Sequence, residues 1–181
     1  MADEQRAVGL WDDVHTLFRD ASPMTCSHWN TETGEMFKVR SSRRQRAIVE
    51  AFEARLFEEE GWHEVPFLES DDEFALMGDF ARELGRGKGR SELLAALDGD
   101  KPFRRFRNVL KKRPGMARRW RKVANEEASV RLAIFCLGQE LSFDHPEFAE
   151  AVSLVRAEWE SSERAEGLIV TSGLSLSKWT N

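Results

Sequence analysis

A chain of 181 residues, 41% hydrophobic and 33% charged, is long enough to bury a core of its own without disulfide or metal staples. The net charge is −5, no apolar run approaches the roughly 18 residues of a membrane helix, and the polar start of the chain lacks the apolar stretch of a secretory signal. Two distant cysteines, Cys26 and Cys136, fit reduced thiols in a cytoplasmic protein, and the absence of tyrosine excludes phenol-based proton transfer.

Residues 8–21 read as a helix, because Trp11, Val14 and Phe18 recur at spacings of three and four. Residues 24–40 read as a β-hairpin. Thr25, Ser27 and Trp29 alternate with Met24, Cys26 and His28, and Phe37 and Val39 share a face of the returning strand. The connector Thr31-Glu32-Thr33-Gly34 calls for positive φ at its glycine. A helix over 47–60 carries Ile48, Phe52 and Leu56 on one stripe. Glu58, Glu59 and Glu60 sit at its unfavourable C-terminal end, so they need cations or the end frays.

His63, Val65 and Phe67 alternate in a short strand over 62–68, which Pro66 marks as an edge or a strand end. Residues 70–84 read as a helix with a Ser70/Glu73 capping box and an apolar stripe of Phe74, Met77, Ala81 and Leu84. A glycine-rich breaker at 85–89 precedes a short helix over 91–97. The next helix, 101–113, turns Phe103, Phe106 and Leu110 inward. Pro114-Gly115 then leads to the longest helix, 116–137, with a seam of Trp120, Val123, Glu127, Val130, Ile134 and Leu137. Glu127 alone breaks that seam and requires a partner or an opening to water. Asp144 and Pro146 start a last helix running to about residue 164, with Phe148, Val152, Val155 and Trp159 inward. A small hairpin is expected over 168–179.

The charge is strongly segregated. Residues 101–125 hold eleven Lys or Arg and no acid, whereas all 32 acids and the other 16 of the 27 basic residues lie elsewhere. With Phe103, Phe106 and Leu110 facing one way, Arg104, Arg107 and Lys111 form a separate stripe, and Arg118, Arg121 and Lys122 extend it across the turn. Such stripes follow phosphate backbones. The competing expectation is that these cations pair with the chain's own acids, above all Asp71, Asp72, Glu73, Asp79 and Glu83 just upstream. No base-reading motif accompanies the stripe, so shape or backbone would be read.

The run Leu97-Asp98-Gly99-Asp100-Lys101-Pro102-Phe103-Arg104-Arg105-Phe106-Arg107, followed by Leu110, Pro114 and Trp120, resembles the signature of the bacterial uncharacterised protein family numbered 158. Thr33-Gly34 in the hairpin also matches. The resemblance covers roughly residues 24–140, is specific at 97–120, and implies a fold and a boundary but no activity. The segment 41–60 departs from the pattern as an inserted helix, and the chain from about 143 lies outside it.

Other candidates are weaker. Arg86-Gly87-Lys88-Gly89-Arg90-Ser91 follows a helix and lacks the phosphate-loop pattern, so it reads as a flexible basic loop. Cys26 and His28 share a strand face, and His63 on another strand would complete a zinc set if all three converged. Core or edge positions are the plainer reading. No Gly-x-Ser-x-Gly elbow occurs, and Cys136 lies among Ile134, Phe135 and Leu137, where an inert thiol is expected.

The expected fold is α+β: a small antiparallel sheet of about three strands against a mainly helical body. Residues 1–142 would form one unit with the helical insertion at 41–60, and 143–181 would add a helix and a tail. The expected function is a non-catalytic cytoplasmic binding protein without cofactor or metal. It would contact nucleic acid or an acidic protein through Arg104, Arg107, Lys111, Arg118, Arg121 and Lys122, with Trp29 or Trp62 as anchors. Two alternatives stand beside it. One is an antitoxin-like or immunity-like inhibitor working through its acidic surface, and the other is an enzyme with a site near His28 and His63.

Overall fold

A computed structural model describes residues 5–6 and 11–168. The chain runs β1 (Gln5–Arg6), α1 (Trp11–Arg19), β2 (Thr25–Asn30), β3 (Met36–Arg40), α2 (Arg46–Glu58), β4 (Trp62–Glu64), α3 (Ser70–Glu83), α4 (Lys88–Leu97), α5 (Pro102–Lys111), α6 (Pro114–Gly138), β5 (Leu141–Ser142) and α7 (Pro146–Leu168). This is an α+β fold with an antiparallel three-stranded sheet of order β3-β2-β4, so β2 is central and β4 is an edge strand, as Pro66 demands. A two-residue parallel pairing joins β1 to β5.

Strand alternation sends the sheet's two faces to different partners. Ser27 and Trp29 face the interior, where Trp29 is 0% exposed and its ring meets Phe135 and Phe143 at centroid distances of 5.8 and 5.7 Å. Cys26 and His28 lie opposite Val39 and Phe37 on the other face, and α2 covers it through Phe52. Phe52 stacks on Phe37 at 3.6 Å and contacts His28 and Trp62 edge-on.

The hairpin loop is organised by Asn30. Its Oδ1 accepts from the backbone N–H groups of Glu32 and Thr33 at 3.0 and 2.9 Å, and its Nδ2 donates to the carbonyl of Glu60 at 2.9 Å. Gly34, with φ 77°, donates to the Asn30 carbonyl and closes the turn. Gly61 takes φ 82° beside Glu32 and Asn30, where a Cβ would collide with both side chains.

Two hydrophobic clusters share α6. Its C-terminal half, through Leu132, Ala133 and Cys136, packs with α1, Trp29, Val65 and the start of α7 (Phe148, Ala151, Val155). Its N-terminal half, through Met116, Ala117, Trp120 and Val123, packs against Met77, Phe80, Leu93, Phe106 and Leu110 of α3, α4 and α5. The helix is therefore covered on more than one side. Its most buried positions are Ala128, Arg131, Leu132, Ala133 and Cys136, beside the expected seam rather than on it.

Several expectations are corrected. Ser70 lies inside α3 with Glu69 as N-cap, and no side chain caps the helix, so the capping box does not form. Helix α4 begins at Lys88, three residues earlier than the glycines suggest. Ile48, Phe74 and Trp159, expected inward, are exposed, because α2, α3 and α7 each bury a narrower stripe than their apolar content allows. Of the three acids at the end of α2, Glu59 meets Arg55 and accepts from the Trp62 indole. Glu127 finds Arg131 one turn on, at 3.9 Å. The last helix runs to Leu168, past the expected end near 164, and the rest of the hairpin expected over 168–179 lies outside the described residues.

Candidate nucleic-acid interface

Apolar periodicity in α5 fixes where its cations point. Phe106 and Leu110 are buried and Phe103 half-buried, so Arg104, Arg107 and Lys111, on the opposite side of a 3.6-residue turn, stand in solvent. The same logic applies to α6. Trp120 and Val123 pack inward, and Arg118, Arg121 and Lys122 are exposed. All six predicted contact residues are thus at the surface, along with Lys101, Arg105, Lys112 and Arg119.

Internal neutralisation is slight. Among the described residues, two of the eleven cations make an ion pair: Arg113 with Glu92 at 2.7 Å, and Lys122 with Glu126 at 3.5 Å. Arg113 holds the Glu92 carboxyl below its usual range. The acids of α3 do not meet the block, and Asp79 pairs with Arg82 of its own helix. The expected pairing with Asp71, Asp72, Glu73, Asp79 and Glu83 is therefore absent among the described ion pairs.

Both helices also place cations at the wrong end for their dipoles. Neither α5 nor α6 has an acid in its first turn, and each opens on proline, after Lys101 and Arg113. Unpaired backbone N–H groups and cations together make these ends favourable to an external anion. Lys101 itself holds left-handed backbone, φ 55°, where glycine would be unstrained.

The α6 cations border a cleft of about 1030 Å³ between α1, α6 and α7. Arg118, Arg121, Lys122, Asn125 and Ser129 recur at helical spacing and, with Glu126 and Val130, form its α6 wall. Arg19 joins them from the C-terminal end of α1, while Asp12, Glu147 and Glu150 line it from the first turns of α1 and α7. His15 fastens α1 to α6. It is buried, and its Nε2 lies 3.0 Å from the Asn125 carbonyl and 3.1 Å from Ser129 Oγ. The α1 and α7 contributions to this cleft are the part that residue patterns missed. Arg118, Arg121 and Lys122 were read as surface cations, but Asn125, Ser129 and the facing helices were not.

The zinc set does not assemble. Cys26 Sγ lies 3.6 Å from His28 Nδ1, but His63 pairs with Trp29 and shares its face, where its ring meets Phe135. The sheet therefore separates His63 from Cys26 and His28, and no cluster of three metal-binding side chains occurs among the described residues. Burial pushes His28 and His63 below the ordinary imidazole range despite nearby glutamates. Burial, with Glu53 and Glu64, pushes the Cys26 thiol up, which opposes a nucleophilic thiolate. Trp29, fully buried, cannot serve as a surface anchor, and half-buried Trp62 is held by Glu59.

No helix among the described residues is long and apolar enough to cross a membrane. No family model, curated protein or solved structure matches the chain.

Proposed function

We propose that this is a non-catalytic cytoplasmic binding protein that grips the backbone of a nucleic acid with the basic surface of α5 and the N-terminal half of α6. The carrying observation is that nine of the eleven cations in 101–125 stand at the surface without an ion-pair partner among the described residues. Arg104, Arg107, Lys111, Arg118, Arg121 and Lys122 are the contact residues. Arginine is well suited to the role, because its planar fork meets two phosphate oxygens at once.

An acidic protein would offer carboxylates to the same residues, but stable protein interfaces gain much of their energy from buried apolar anchors. The large exposed apolar side chains of the described residues are Met24, Ile48, Phe57, Phe74, Leu154 and Trp159, and none lies on α5 or α6. That distribution favours a partner held by charge.

Fluorescence anisotropy with labelled single- and double-stranded oligonucleotides tests the proposal. Wild-type protein is expected to bind, and the triple reversal Arg104→Glu, Arg107→Glu, Lys111→Glu to bind at least tenfold more weakly. Equal binding by the reversed variant, or capture of an acidic protein with no affinity for oligonucleotides, would overturn it.

A further inference from the structure

The cleft between α1, α6 and α7 carries charge of both signs. From α6 come Arg118, Arg121 and Lys122, three of the cations proposed to hold phosphates, with Glu126 beside Lys122 at 3.5 Å. From α1 and α7 come the carboxylates of Asp12, Glu147 and Glu150. The α6 wall from residue 118 to 129 spans about 17 Å at ~1.5 Å per residue, enough for a nucleotide lying along it. The lining also includes Val130, Ala151 and Leu154, and Leu154 keeps 56% of its surface exposed although it is large and apolar.

One of these carboxylates is held in place. Trp11 Nε1 donates to Glu147 Oε2 at 2.9 Å, and the indole itself stacks with His15 and with His145 at 5.6 and 5.1 Å. A fixed carboxylate accepts hydrogen bonds and donates none, so it pairs with an exocyclic amine, whereas the one N–H on uracil's pairing edge lies between two keto oxygens that it repels. The volume, about 1030 Å³, is at the upper end of the ~300–1,000 Å³ usual for small-molecule sites.

We infer that this cleft is a nucleotide subsite that selects amine-bearing bases. The phosphate rests on Arg118, Arg121 and Lys122, the base lies against Leu154, and its amino group donates to Glu147 or Glu150. The inference deepens the nucleic-acid reading and rests on it for the biological source of the nucleotide: one unpaired residue of a bound strand enters the cleft while its neighbours follow the α5 stripe.

Titration calorimetry with free AMP, CMP and UMP tests the subsite apart from strand binding. AMP and CMP are expected to bind at least fivefold more tightly than UMP. Glu150→Gln, an exposed substitution checked for folding by circular dichroism, should erase most of that ratio, because an amide can also donate to a keto group. Equal affinities for AMP and UMP, an unchanged ratio in Glu150→Gln, or no nucleotide binding would overturn the subsite. Oligonucleotide binding without base selectivity in the cleft would overturn the subsite alone. Selective AMP binding without oligonucleotide binding would overturn the strand reading alone.

Discussion

The carboxylate of Glu127 and the guanidinium of Arg131 face each other across 3.9 Å, one turn apart on α6. Arg131 is 8% exposed, and its Nε and Nη1 have no hydrogen-bond partner. Burial pushes Glu127 above the usual carboxylate range, with Arg131 opposing the shift and Asp72 and Glu158 adding to it. Burial likewise pushes Arg131 below its ordinary value, with Glu127 and Glu73 opposing. The pair thus brings charge into the protein with incomplete compensation.

Removing one member leaves the other charge buried. Glu127→Leu is expected to destabilise the protein by about 2–4 kcal/mol, and adding Arg131→Met should recover most of the loss. Urea denaturation of both variants checks this, and a double variant no better than the single would contradict the pairing.

The same pair predicts a pH dependence. An acid whose folded value is raised binds more protons folded than unfolded, so its contribution falls as pH rises from the usual glutamate range through the raised value. The stability of Glu127→Gln relative to wild type should therefore climb across that window. Parallel denaturation series in mildly acidic and neutral buffers measure the difference, and a flat difference would count against the shift.

Thiol chemistry separates the two cysteines. Cys136 is fully buried, and burial pushes its thiol up to about 12, whereas Cys26 is partly exposed. In native protein at mildly alkaline pH, a thiol reagent should modify Cys26 slowly and Cys136 only on unfolding. Mass spectrometry of the labelled peptides reads the order.

Core truncation and surface truncation should differ sharply. Phe106, 0% exposed and set against Phe80 and Trp120, predicts a loss of about 3–5 kcal/mol for Phe106→Ala. Phe57 is 92% exposed on α2, so Phe57→Ala should change stability by less than about 0.5 kcal/mol. Thermal or urea unfolding of the two variants gives the comparison.

Much of this architecture was legible in residue order, for identifiable reasons. Strict alternation placed Trp29 and His28 on opposite faces of β2, and helical spacing put Phe106 and Leu110 inside while Arg104, Arg107 and Lys111 stayed outside. Local patterns failed where tertiary packing decides. Ile48 and Trp159 continue apolar stripes but extend past the surfaces that cover α2 and α7. Ser70 and Glu73 have capping-box spacing, yet the helix begins one residue earlier than a Ser70 cap requires. The six cations expected at the surface stand there, but the cleft that Arg118, Arg121 and Lys122 border depends on His15 docking at Asn125 and Ser129. That contact joins residues more than a hundred positions apart, beyond the reach of periodicity.

The most direct test of the central claim is the salt dependence of oligonucleotide affinity. Each phosphate neutralised contributes a slope of about −0.9 in log affinity against log salt on duplex DNA, or about −0.7 on single strands. Engagement of the six contact residues predicts a slope near −5 on duplex, flattened by about 3 in the Arg104→Glu, Arg107→Glu, Lys111→Glu protein. Affinity that does not change with salt, or a slope identical in the reversed protein, would contradict the account.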